Sequence, residues 1–186
     1  MIPQLPSRSV ISRRQVLASA VASMLASAGS AQAQGEKNGS IIVWPELKLL
    51  SGATLRTDDW SNMSAVIVFW ETWCPYCKRQ NAHVDQLYQA TLRQKMRVIG
   101  VTTEKNEAKV RAYMQSNQFS FPVALIDTEF RSQFTNRVIV PLTCLVSASG
   151  RLMQVIPGEM SNEDVLTLES VLLGGSGSKI GVLSDS

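Results

Sequence analysis

The order of apolar and helical segments predicts an α/β domain, with a central mixed β-sheet flanked by helices. Residues 65–70 are an uninterrupted apolar run, as a strand buried on both faces requires, and residues 97–101 (Arg-Val-Ile-Gly-Val) read as a second buried strand. Between and after them largely apolar stripes follow helical spacing, first Val84, Leu87, Tyr88 and Thr91, then Val110, Tyr113, Met114 and Asn117. Strands that alternate with helices pair in parallel. Residues 141–147 and 151–156, joined by Ser149-Gly150, read instead as an antiparallel hairpin.

The remaining elements follow in order. Residues 41–44 are a short apolar run and 47–55 carry a Ser51-Gly52 turn, which suggests edge strands or a small hairpin. Residues 58–64 read as a connecting turn or short helix. Asn106 is placed to cap the second helix, 121–126 form a third extended segment, and 130–136 a short helix. Ser161-Asn162-Glu163-Asp164 resembles a capping box opening a last helix, with Val165, Leu168 and Leu172 on its inner face and Gly174-Gly175 at its end. There is no internal repeat.

Residues 1–33 hold three arginines (Arg8, Arg13, Arg14), no Asp or Glu, an Ala-rich apolar stretch and then Ala31-Gln32-Ala33. This is the three-part pattern of an export signal cleaved after Ala33. Ser12-Arg13-Arg14-Gln15-Val16-Leu17 resembles a twin-arginine signal, with Val16 where Phe is usual; general secretion is the other route. The expected organisation is thus a signal at 1–33, a flexible remnant at 34–40, one domain at 41–173 and a disordered Gly/Ser-rich tail at 174–186. The full chain has 18 basic against 15 acidic residues; removing the leader leaves 15 against 15. The basic excess belongs to the leader, so nothing argues for a nucleic-acid partner.

Three cysteines in an exported chain allow one disulfide and exclude a disulfide-stapled scaffold. Two of them form Trp73-Cys74-Pro75-Tyr76-Cys77, directly after the first buried strand and at the start of a helix. The positive end of the helix dipole favours a thiolate there, and a thiolate is the species that attacks disulfides. Closing so short a loop constrains the unfolded chain least, so the pair reads as reactive rather than stabilising. Structural zinc would need two further ligands, and only Cys144 and His83 remain. The expected chemistry is dithiol–disulfide exchange, with no metal or cofactor beyond the Cys74/Cys77 pair.

Residues 66–77, from Val66 through the dithiol, resemble the strand-to-active-site segment of the thioredoxin superfamily. Val140-Pro141-Leu142-Thr143 resembles that superfamily's cis-proline loop, and Gly150 its hairpin glycine. The extra strand–helix segment before Pro141, with Trp44-Pro45-Glu46-Leu47 and Gly52-Ala53-Thr54-Leu55, resembles the periplasmic TlpA/ResA-like branch. The resemblance covers residues 41–173. It implies a thioredoxin-like fold with N-terminal strands and a central strand–helix insertion. It also implies that Cys74 is the exposed nucleophile, that Cys77 is the more buried resolving thiol, and that Pro141 lies against the dithiol with Val140 offering backbone to the substrate. Trp73 would shield one side, and Pro75 and Tyr76 would tune thiolate stability.

The same resemblance implies a periplasmic oxidoreductase of protein thiols and disulfides, a reductant fed by a membrane electron donor, with cytochrome c maturation as one client process; a monomer is the expected state. A periplasmic dithiol oxidase is the alternative. The superfamily's buried acid, six before the first cysteine, is replaced here by Val68. Glu71, three before Cys74, is the nearest carboxylate and reads either as a solvated strand-end residue or as a substitute in proton traffic. A Cu(I) metallochaperone would call for C-x-x-x-C and a downstream His, and a thiol peroxidase for Thr where Glu71 stands; the chain has neither. Cys144 reads as a buried inert thiol, His83 as a boundary residue, Trp44 and Trp60 as packing, and Lys78 and Arg79 as an exposed helix face.

Overall fold

The computed structural model describes residues 37–174. The expected export signal, the first part of the remnant and the tail from residue 175 lie outside the described residues. In chain order the elements are β1 (Leu47–Lys48), β2 (Thr54–Leu55), a 3-10 turn (Thr57–Trp60), β3 (Ser64–Phe69), α1 (Pro75–Thr91), β4 (Met96–Thr102), α2 (Glu107–Ser116), β5 (Val123–Leu125), α3 (Thr128–Ser132), β6 (Leu142–Val146), β7 (Leu152–Pro157) and α4 (Asn162–Leu173). β1 and β2 form the expected small antiparallel hairpin.

The main sheet has the order β5-β4-β3-β6-β7, with β3, β4 and β5 parallel and β6 and β7 antiparallel to the strands beside them. β3 is central and every residue in it is buried. Because successive side chains point to opposite faces, its alternate residues feed two cores. Val66, Val68 and Trp70 meet Val84 and Leu87 of α1, Val110 and Met114 of α2, and Val165 and Leu168 of α4. Ala65, Ile67 and Phe69 meet Trp44, Leu47, Leu55, Trp60, Phe130 and Phe134. The N-terminal segment thus does on the second face what a helix layer does on the first. Its anchor is the Trp44–Trp60 stack, with ring centroids 3.8 Å apart and planes 2° from parallel.

Three expectations are corrected. Residues 37–40 are not loose: Gly39 N–H donates to Leu152 O at 2.7 Å, Leu152 N–H returns a bond to Ser40 O at 2.8 Å, and Lys37 Nζ reaches Ser132 O. Residues 41–44 alternate outward and inward as a strand would, but their one ladder contact is the Ile41–Arg151 bridge. The Val43 backbone is satisfied by the Gln133 side-chain amide, which accepts from Val43 N–H at 2.8 Å and donates to Val43 O at 2.9 Å. The short helix starts at Thr128 rather than at residue 130, because Asp127 Oδ1 accepts from Phe130 N–H and sets the N-cap there.

Gly100 on β4 lets the face beside the site close. A Cβ at this position would stand 2.6 Å from both Phe121 Cε2 and Trp70 Nε1. Gly100→Ala is therefore expected to lower stability by about 1–3 kcal/mol through overpacking, read by urea unfolding of the purified domain.

Candidate active site

β3 ends at Phe69, and five residues later Cys74 caps α1, with Pro75 in the first turn where its missing N–H costs nothing. Cys74 and Cys77 form a disulfide with a Cα–Cα distance of 5.2 Å. Cys74 Sγ accepts from Cys77 N–H at 3.1 Å, so the sulfur occupies the place of a capping oxygen. A negative charge on that sulfur faces free helix N–H groups and the positive end of the dipole. The same capping geometry turns the Cys74 side chain inward. Cys74 is 4% exposed and Cys77 0%, so the expected exposed nucleophile is covered in this disulfide form, although Cys74 remains the outer of the two.

The register of β3 with β6 brings the second part of the site into place. Phe69 pairs with Leu142, which sets the preceding Val140–Pro141 bond, a cis peptide, beside the end of β3. Val140 O lies 3.8 Å from Cys74 Sγ. Arg131 holds the segment that leads in, donating from Nη2 to Arg137 O at 3.2 Å and to Ile139 O at 2.5 Å, while its guanidinium carbon sits 4.9 Å from the Phe69 ring centroid. Burial pushes the Arg131 pKa down from its ordinary value, and Cys144 and Glu71 act against that.

Glu71 is buried rather than solvated. It accepts from Thr102 Oγ1 at 3.0 Å, Thr103 N–H at 3.0 Å and Thr103 Oγ1 at 2.6 Å, tying the turn before the dithiol to the end of β4. Glu71 and Arg131 line a groove of about 460 Å³ beside the disulfide, with Trp73, Val138 and Val140 at its apolar side and Glu104 and Lys105 at its charged side. Trp73 is 69% exposed and Val138 95%. The Glu104 carboxyl is held below its usual range by the Lys109 hydrogen bond and the Asn106 N–H. Val68, where the superfamily's acid would stand, is fully buried.

Arg79 is not simply solvated. Its guanidinium makes two bonds to the Glu159 carboxylate, at 2.7 and 2.6 Å, and lies 4.9 Å from the Tyr76 ring centroid. Two polar residues that sequence reasoning passed over, Gln80 and Asn81, are fully buried on α1. Gln80 donates to Thr143 Oγ1 at 2.8 Å and accepts from Met160 N–H at 2.9 Å, fastening the dithiol helix to β6 and to the approach to α4. Their spacing, three and four residues after Cys77, already put them on the inner face of the helix. Arg131 had no such signal. Cys144 is buried in the core on the opposite face of the sheet from the dithiol, and His83 is at the boundary as expected.

A family model described as the AhpC/TSA family matches residues 43–153. The chain belongs to the AhpC/TSA family. Its similarity to curated proteins includes the thiol-disulfide oxidoreductase ResA of Geobacillus kaustophilus, 25% identical over 116 residues that cover 62% of this chain and 67% of that protein. It also includes the thioredoxin-like protein YneN of Bacillus subtilis, 28% identical over 122 residues covering 64% and 71%. Among solved structures, a thioredoxin-family thiol:disulfide interchange protein from Chlorobium tepidum superposes with a TM-score of 0.67 at 19% identity, over 74% of this chain and 98% of that one. StoA from Bacillus subtilis gives 0.59 at 20% identity, over 67% and 95%. The thioredoxin-like fold and the TlpA/ResA-like resemblance stand, and this AhpC/TSA member is a thiol–disulfide oxidoreductase.

Two outcomes follow from the polar groups on and against α1. Gln80→Ala leaves Met160 N–H without its buried acceptor and is expected to destabilise the domain by about 1–3 kcal/mol in chemical denaturation. Burial raises the Tyr113 pKa above its ordinary value of 10.0, with the neighbouring Asn81 amide acting the other way. The folded protein therefore keeps the phenol proton longer than the unfolded chain does. That stabilisation is complete below pH 10.0 and is lost as pH rises through the raised value. Unfolding free energies of the parent, relative to Tyr113→Phe, are expected to fall above that pH.

Proposed function

We propose that this chain is an exported, periplasmic reductase of protein disulfides, working through a mixed disulfide on Cys74. The observation that carries the reading is the Cys74–Cys77 pair at the N-terminus of α1, with the Val140 carbonyl 3.8 Å from Cys74 Sγ. In the reduced protein Cys74 thiolate attacks a client disulfide; one client sulfur leaves as a thiolate and the other becomes bonded to Cys74. Cys77 then attacks Cys74 Sγ, the Cys74–client bond breaks, and the second client sulfur leaves. Two electrons have passed from the dithiol to the client, so a donor must reduce Cys74–Cys77 again. We assign that task to a membrane electron-donor protein.

The roles of the surrounding residues follow from their positions. The Val140 carbonyl and the Pro141 turn lie where an extended client backbone would run past Cys74, and Pro141 has no N–H to compete for client carbonyls. Trp73 and Val138 offer apolar contact for residues beside the client cysteine, and Pro75 and Tyr76 set how readily Cys74 is reduced. Glu71 supports the turn through Thr102 and Thr103. The dithiol supplies the redox chemistry by itself. The leader pattern at 1–33 supports export, and among the described residues no helix is long and apolar enough to cross a membrane. Cu(I) binding has less support, since Cys144 faces away from the pair across the sheet. A peroxidase has less support because Glu71 stands where its Thr would be.

Cys77→Ser is expected to accumulate a Cys74-linked mixed disulfide with client proteins, visible as a reducible mass shift, while Cys74→Ser forms none. The reduction potential of the pair is expected near ~−270 mV; a value near ~−120 mV would make the protein a disulfide donor and sink the reductase reading.

A further inference from the structure

Cys77, Asn81, Val84 and Tyr88 form one stripe of α1, and the first three are 0–1% exposed against the sheet. Asn81 is the anomaly in that stripe, because neither its Nδ2 nor its Oδ1 has a hydrogen-bond partner. A fully buried amide with four unmet hydrogen-bonding positions is costly, and native proteins rarely carry one without a reason. The Tyr113 hydroxyl, contributed by α2, is buried in the same core and also without a bond. Asn81 lies near enough to this hydroxyl to favour its phenolate, yet the two groups do not meet in hydrogen-bonding geometry. Tyr113 is held in place by stacking on Trp70, with ring centroids 5.0 Å apart. The Trp70 Nε1–H is buried there without a bond as well, so three polar groups stand unbonded among apolar side chains, with Asn81 one helical turn behind Cys77.

We propose that the Asn81 amide and the Tyr113 hydroxyl are the two poles of an internal hydration site, through which the Cys77 thiol sheds its proton when it resolves the mixed disulfide. This rests on the reading of Cys77 as the resolving thiol. An internal water makes two to four hydrogen bonds to buried polar groups, and this pair supplies donors and acceptors of both kinds. The need is chemical: Cys77 attacks as a thiolate, it is fully buried, and the position of the superfamily's acid is Val68. Glu71 is already committed to three donors on Thr102 and Thr103.

In the step, the Cys77–Cys74 bond forms and the Cys74–client bond breaks, with the client sulfur taking the electron pair. The Cys77 proton passes to the water held by Asn81 and Tyr113 and, through solvent, to the leaving thiolate. The other titratable groups close to this core are His83, Asp85 and Tyr88 on α1 and Glu71 just beyond β3, Asp85 being committed to Ser120 and the Phe121 N–H, whereas β4, β6 and α4 face it with Val98, Leu145, Val165 and Leu168. Asn81 and Tyr113 are thus positioning residues, acting on Cys77 through water.

The test is stopped-flow reaction of the reduced protein with an equimolar bis(nitrobenzoate) disulfide, which releases chromophore twice. The first release reports attack by Cys74 and the second reports resolution by Cys77. Asn81→Leu is expected to slow the second phase by roughly tenfold to a hundredfold and to move its pH midpoint upward, leaving the first phase unchanged. Asn81→Ser, which keeps a polar group and space, is expected to restore most of the rate. Tyr113→Phe, which removes only the hydroxyl, is expected to shift the midpoint in the same direction as Asn81→Leu. Should Asn81→Leu fail to fold, Tyr113→Phe and Asn81→Ser decide. A second phase with the parent's rate and midpoint in the folded variants overturns the proposal, whereas loss of the first phase from the parent itself overturns the exchange reading instead.

Discussion

The pairing of β3 with its two neighbours is the constraint on which the rest of the structure depends. β3 is parallel to β4 on one side and antiparallel to β6 on the other, and it is buried on both faces. The chain therefore leaves the carboxyl end of β3 between the end of β4 and the beginning of β6. Groups distant in sequence meet there: the dithiol turn, Thr102 and Thr103 from β4, and Val140-Pro141 ahead of β6. A slip of one residue between β3 and β6 would turn the alternating side chains to the wrong cores and separate the cysteines from Val140.

Around that junction, buried polar side chains do the fastening that apolar packing cannot. Glu71 joins the dithiol turn to β4, Gln80 joins α1 to β6 and to the approach to α4, and Arg131 gathers the two carbonyls ahead of Val140. Each is directional and makes at least two hydrogen bonds to groups distant in sequence or ahead of the site, so together they fix geometry more than they add net stability. Asn81 differs from them in having no bonds of this kind, which sets it apart as a group for chemistry rather than for fastening.

Most of the fold was legible in the sequence because its signals are local. A buried strand needs an apolar run, an amphipathic helix needs its period, and Ser161 and Asn106 cap helices where their side chains can reach. The dithiol was legible for the same reason, being two thiols and a proline at a helix start. What could not be read locally was the fate of polar groups that find partners far along the chain. Glu71 looked as solvated as any carboxylate at a strand end, since its partners are 31 and 32 residues away. Gln133 replaced a strand neighbour for Val43 across 90 residues, and Arg79 found Glu159 across 80. The exposure of Cys74 was misjudged because capping a helix with sulfur turns the side chain inward.

The placement of Cys144 has a consequence for a chain that carries its own redox couple. It sits on β6 between β3 and β7 and is fully buried in the core away from the dithiol. The sheet is therefore a partition between the chain's redox couple and its third thiol. Electrons moving through Cys74 and Cys77 have no route to a wrong pairing within the folded chain, and a passing oxidant or a second molecule meets no odd sulfur on this domain. Cys144 becomes reactive only when strands part, so the rate at which it can be alkylated is a clock for the opening of the sheet itself.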